Sequence, residues 1–194
     1  MKQSPKLPAE KRRAQLIEAA MKVISQKGYA KATTEAIARR AGLTKGALYF
    51  HFDTKKDIFF AVVKNLSEKH LEIVTRPLAS EPNPLKAIEK MIYAGFELVE
   101  NRKYFNLEFW QQANRVKRIN AYLEQQHRRF EKTLVAFLKK NFKMNKRKSQ
   151  SLYLLLHVLF DGLVVRYQCS PASVNIPRLR NDVIEMTKLF LHRR

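Results

Sequence analysis

The sequence predicts an all-α fold of about nine helices. Glycine and proline are few, five and seven in 194 residues, while Ala, Leu, Lys, Glu and Gln are plentiful. Apolar residues recur at helical spacing in segment after segment. No alternating strand pattern of useful length occurs. At 45% hydrophobic content the chain is globular, with length enough for one large domain or two small ones.

Residues 1–8 hold two prolines and two lysines and read as a flexible basic arm. A helix then begins: Leu16, Ile17, Ala20, Val23 and Ile24 form one apolar stripe, and Gly28 stands where it would stop. In the next segment Thr33 or Thr34 can cap a helix whose inward residues are Ile37, Ala38 and Ala41. Gly42 breaks it, and Thr44 can cap a very short helix to about Phe50. Thr54 to Asp57 resembles a capping box, opening a helix to about Val74. Pro77, Pro82 and Pro84 mark a boundary. Helices follow at about 85–100, 103–113, 117–141, 147–168 and 177–192.

The net charge is +21, which attracts polyanions. Residues 1–56 carry 13 basic and 4 acidic side chains, a net +9, and the remainder carries +12. Cys169 is the only cysteine, which fits a reducing cytoplasm. The N-terminal residues lack an apolar stretch of the signal-peptide kind. The longest apolar run, Leu152 to Val165, is interrupted by His157 and Asp161; it suits a buried helix rather than a membrane span.

Residues 33–56 concentrate the chemistry. Two short helices meeting at Gly42 have the outline of a helix-turn-helix, whose second helix enters the DNA major groove by its N-terminal end. Thr44 can cap its helix and reach a phosphate. Lys45 can neutralise a phosphate or donate to guanine. Gly46 and Ala47 let the backbone approach the bases. Leu48 and Phe52 share an inward face, while Tyr49 and His51 can donate to phosphates. Lys55 and Lys56 open the next helix. Phe50 has no evident place. Short helices around a glycine are also common in ordinary cores.

Residues 9–66 resemble the DNA-binding domain of the TetR family of transcriptional regulators. The resemblance rests on Thr33, Ile37, Ala38, Ala41, Gly42, Lys45, Gly46, Leu48, Tyr49, His51, Phe52 and Lys55, in order, after an amphipathic helix ending in Gly28-Tyr29. Departures are small: Thr44 for a common Ser, Ile58 for Leu, Asp57 for Glu. The resemblance implies two parts. Residues 9–56 would form the DNA-binding domain, with the helix from 57 to 75 connecting it to a ligand-binding and dimerisation domain over 57–194. Thr33, Thr34, Thr44, Lys45, Gly46, Ala47, Tyr49, His51 and Lys55 would meet double-stranded operator DNA. The last two helices would pair with those of a second copy, making a homodimer. A small-molecule effector would alter the spacing of two DNA-reading heads, which must lie about 34–36 Å apart.

Beyond residue 66 the resemblance is one of helix count and pattern only. Helix 147–168 (Leu152, Leu155, Leu156, Leu159, Phe160, Leu163) and helix 177–192 (Val183, Ile184, Met186, Thr187, Phe190, Leu191) are apolar over more than one stripe. Aromatic residues crowd 93–130; Phe96, Phe109 and Trp110 are candidate effector contacts, with Glu108, Gln111, Gln112, Asn114 and His127 as polar partners. Such stripes are also ordinary core. The basic run Lys139 to Lys148 reads as a solvated loop or as a contact for an acidic partner or DNA. Lys2, Lys6, Lys11, Arg12 and Arg13 would track the DNA backbone or remain a solubilising tail.

The chain lacks G-x-G-x-x-G, G-x-S-x-G and H-E-x-x-H, and no Cys/His/Asp spacing suits a metal. The expectation is therefore no enzyme, no catalytic residue, no cofactor and no metal. The resemblance implies a DNA-binding repressor, cytoplasmic and nucleoid-associated when bound, with no membrane partner. The alternative is a DNA-binding protein of the same fold acting architecturally or through a protein partner, without an inducer.

Overall fold

A computed structural model describes residues 8–101 and 107–192, apart from the side chains of Leu107, Glu108 and Trp110. The described residues form nine α-helices and one 3-10 turn, and no strand. They divide into two compact units. One comprises the described residues up to 66 together with 107–120, the other 67–101 together with 121–192. The unit holding the N-terminal helices thus takes in a segment far along the chain, beyond residues 9–56.

In the first unit, α1 (Ala9–Lys31) buries Leu16, Ile17, Ala19, Ala20, Val23 and Ile24, the stripe read from the sequence with one addition. Gly28 adopts φ 75°, which breaks the regular helix while a further turn continues to Lys31. Lys11, Arg12 and Arg13 belong to α1 rather than to an arm; the Arg13 guanidinium lies 4.8 Å over the Phe52 ring. The expected arm itself, save Pro8, lies outside the described residues.

Helices α2 (Thr34–Arg40) and α3 (Lys45–Tyr49) follow, and α4 (Lys55–Ser80) begins in this unit. Leu48, Phe52, Ile58, Phe59 and Val62 complete the core with Ile37 and Ala38. The α4 start is a reciprocal capping box: the Asp57 amide donates to Thr54 Oγ1 at 3.2 Å, and the Thr54 amide donates to Asp57 Oδ2 at 3.1 Å. Helix α6 (Leu107–Asn114) packs on α1, with Phe109 against Phe59 at 5.1 Å between ring centres.

The second unit contains the rest of α4, then α5 (Pro84–Glu100), most of α7 (Lys117–Phe142), α8 (Lys146–Cys169) and α9 (Ile176–His192). One expected boundary moves. Helix α4 does not end near Val74 but continues through Pro77 to Ser80. Proline removes one backbone donor, yet only one short turn follows it, and Leu78 on that turn is buried in the core. The stop comes at Asn83, whose side chain caps α5 by accepting from the Leu85 and Lys86 amides. The core joins Ile88, Ile92, Phe96, Leu134, Leu138, Leu152, Leu156 and Val183.

Helix α8 is not the wholly buried helix the sequence suggested. Its 24 residues are long and apolar enough to cross a membrane by length and composition. Leu152, Leu156, Leu163 and Val164 face the core, but Leu154, Leu155, Val158 and Val165 stand in solvent. Asp161 lies on the exposed side, its carboxylate 3.7 Å from His157 Nε2.

Candidate nucleic-acid interface

The turn between α2 and α3 is set by hydrogen bonding. Thr33 Oγ1 accepts from the Ala36 amide at 3.1 Å and starts α2. Gly42, at φ 65°, ends it: the Gly42 amide donates to the Arg39 carbonyl and the Leu43 amide to the Ala38 carbonyl, a Schellman motif. From α1, Gln15 Nε2 donates to the Ala41 carbonyl at 2.7 Å, fastening the same corner. Thr44 Oγ1 then accepts from the Ala47 amide at 3.2 Å and starts α3.

Helix α3 has five residues, too few to hold itself together in water. Leu48 is its anchor, fully buried, with Phe52 just beyond it also buried. What remains outside is the other face. Thr44, Lys45, Gly46 and Tyr49 are exposed, and Ala47 and His51 are half-buried. A methyl group built onto Gly46 would meet nothing closer than Thr44 Oγ1 at 4.0 Å. No packing inside the chain therefore requires a glycine there.

The polar side chains of this face are linked before any partner arrives. Lys45 Nζ forms an ion pair with the Glu35 carboxylate, on the first turn of α2. The ammonium lies 5.8 Å over the Tyr49 ring. The Thr34 hydroxyl donates to Glu35 Oε2 at 3.3 Å and lies 3.4 Å from the Tyr49 hydroxyl, which therefore supplies the proton of their contact. The Lys45 hydrogen bond, with help from the backbone, holds the Glu35 carboxyl down to about 2. The same bond raises the Lys45 ammonium above its ordinary range.

Most expected contact residues are brought together here, with two differences. Thr34 is buried, and its hydroxyl meets Glu35 and Tyr49 rather than solvent. Lys55 is held against α1: its Nζ donates to the Ala30 carbonyl at 3.1 Å and lies 4.4 Å over the Tyr29 ring. Partial desolvation lowers its ammonium pKa. Two residues join the face that the sequence reading did not place. Phe50 is 81% exposed, edge-on to His51 at 5.2 Å between ring centres. Glu35 joins because the turn brings residues ten apart side by side, which no helical periodicity signals. An exposed phenylalanine in an otherwise polar helix end was the available sign for Phe50.

The chain's residues 16–62 match the family model described as bacterial regulatory proteins, tetR family. That span covers the helix-turn-helix and its anchors. Over this span the chain is similar to the DNA-binding part of tetR-family regulators.

Among its relatives, the HTH-type transcriptional repressor BepR of Brucella suis is 37% identical over 94 residues, 48% of this chain and 45% of BepR. The chain thus matches under half the length of that relative. The HTH-type transcriptional regulator PksA of Bacillus subtilis is 25% identical over 191 residues, 91% of this chain and 88% of PksA. A transcriptional regulator from Saccharomonospora viridis, solved in complex with choline, shares the fold with a TM-score of 0.78 at 16% identity, covering 92% of this chain and 96% of the other. BepR and PksA are regulators of transcription.

The candidate effector contacts are divided. Phe96 is fully buried in the second unit, edge-on to Phe160 at 5.2 Å. Phe109 belongs to the first unit, packed on Phe59. The Trp110 side chain lies outside the described residues.

Proposed function

We propose that this chain is a transcriptional repressor that grips a two-fold symmetric operator as a homodimer and releases it on binding a small molecule. The observation that carries the reading is the exposed face of α3, seated on buried Leu48, with Lys45, Tyr49 and a sterically unneeded Gly46 turned outward. Thr33, Thr44, Ala47 and His51 complete the contact, and Thr34 and Lys55 support it from behind.

A second copy is the proposed occupant of the apolar face of α8 and α9. Leu154, Leu155 and Val158 are 57–60% exposed, and Met186 and Leu189 on α9 are 64% and 72% exposed. Side chains of that size seldom stand in water together without a partner. An effector is supported by the choline complex of the structural neighbour. A chain of this kind works in the cytoplasm, where the operator is.

The test is operator binding by Lys45→Ala and Tyr49→Ala chains whose thermal unfolding matches the parent. A base-reading contact costs about 1–3 kcal/mol and relaxes one operator position, whereas a phosphate contact weakens binding evenly. Operator binding by both variants equal to the parent's would reject this face. Operator affinity that no metabolite lowers would favour the alternative without an inducer.

A further inference from the structure

Lys45 is the one cation on the outer face of α3, and it is already neutralised. Glu35 holds it from α2, and Thr34 holds Glu35 in turn. Both charged side chains are about half exposed, at 54% and 55%, so the pair is open to a duplex on that face. Any phosphate that takes Lys45 must share the ammonium with this carboxylate or displace it. It must also accept a carboxylate within a few ångströms of the DNA backbone, anion beside anion. A phosphate is offered by every sequence, so this penalty falls on every non-operator site. A guanine edge offers two neutral acceptors to the ammonium's remaining donors and sets no second anion beside the Glu35 carboxylate.

We propose that Glu35 is a specificity-determining residue: it withholds Lys45 from the sugar–phosphate backbone and releases it only to a base edge in the operator. This rests on the DNA-binding reading above. Glu35 makes discrimination by raising the cost of the wrong sites, not by improving the right one. Its geometry suits the task. It sits on the neighbouring helix, fixed by the Thr34 hydroxyl. Tyr49 is coupled to the same arrangement, because its hydroxyl must turn from Thr34 to reach a phosphate.

The experiment compares the parent chain, Glu35→Gln, and Glu35→Gln with Lys45→Gln. Each is titrated with a selected operator duplex and with a scrambled duplex, over a range of salt. Glu35→Gln keeps the shape and removes the charge at an exposed site. The expected result is tighter binding to scrambled DNA, by roughly tenfold, and a fall of the operator-to-scrambled ratio by a similar factor. The salt slope on scrambled DNA should steepen by about 0.9, one added phosphate contact. Adding Lys45→Gln should cancel both changes. Unchanged ratio and slope in Glu35→Gln would overturn the proposal, as would equal weakening on both duplexes, which would make Glu35 a mere prop for Lys45. A parent chain with no preference for the operator would overturn the underlying reading and the proposal with it. A parent preference that survives intact in Glu35→Gln overturns the proposal alone.

Discussion

Replacing Gly46 by alanine should move stability and DNA binding in opposite directions. The backbone at Gly46 lies outside the left-handed region, and the added methyl meets nothing nearer than 4.0 Å within the chain. No strain or clash opposes it. Alanine exceeds glycine in helix preference and narrows the unfolded ensemble, which together are worth up to about 1 kcal/mol. In a chain of this size that raises Tm by roughly 2–4 °C. The same methyl stands on the exposed face between two proposed DNA contacts. Holding the helix off by a methyl group would lose at least one base contact, about 1–3 kcal/mol, or roughly fivefold to 150-fold in Kd. The assays are calorimetric unfolding and operator titration by fluorescence anisotropy. A variant that is more stable and binds operator as tightly as the parent would refute the placement of this face against DNA.

Other outcomes follow from the same geometry. Phe50→Ala should weaken operator binding while leaving Tm within about 1 °C, since an 81% exposed ring contributes little to the core; equal operator affinity would leave the exposed ring unexplained. The Glu35 carboxyl, held to about 2 in the folded chain, should titrate there by NMR and rise toward 4.5 in Lys45→Ala. Its folded pKa is depressed, so its contribution to stability is complete above pH 4.5 and is lost as pH falls toward 2. A Glu35 carboxyl titrating in the ordinary range in the parent chain would show that the ion pair does not form in solution. Val158→Glu should convert a dimer to a 22.8 kDa species in sedimentation at micromolar concentration. A parent chain already monomeric under those conditions would place the apolar face of α8 and α9 in some other contact.

The helix ladder was legible because its signals are local. Apolar stripes, threonine caps and the glycine at Gly42 each act within one or two turns, and their positions agree with the structure nearly residue by residue. The capping box at Thr54 and Asp57 is the clearest case, since both halves of the hydrogen-bond exchange are present. Pro77 misled because a helix end depends on what lies beyond the proline: here one turn with Leu78 buried outweighs the lost donor. The DNA face was legible in type but not in wiring. Periodicity places Leu48 inward and Tyr49 outward. It does not bring Glu35 to Lys45, or turn Lys55 back onto Tyr29 and Ala30, because those contacts cross between elements. Nor does composition divide Phe96 from Phe109, which fall in separate units although both lie in one aromatic stretch.

The central claim is that α3 reads DNA as one of two copies arranged about a two-fold axis. Selection of bound duplexes from a random pool tests it most directly. The account predicts enrichment of an inverted repeat, with half-sites about one helical turn apart, and loss of preference at one position per half-site when Lys45 is replaced by alanine. A pool that shows no enriched sequence, or enriched sites that are unchanged in Lys45→Ala and Tyr49→Ala, would contradict it.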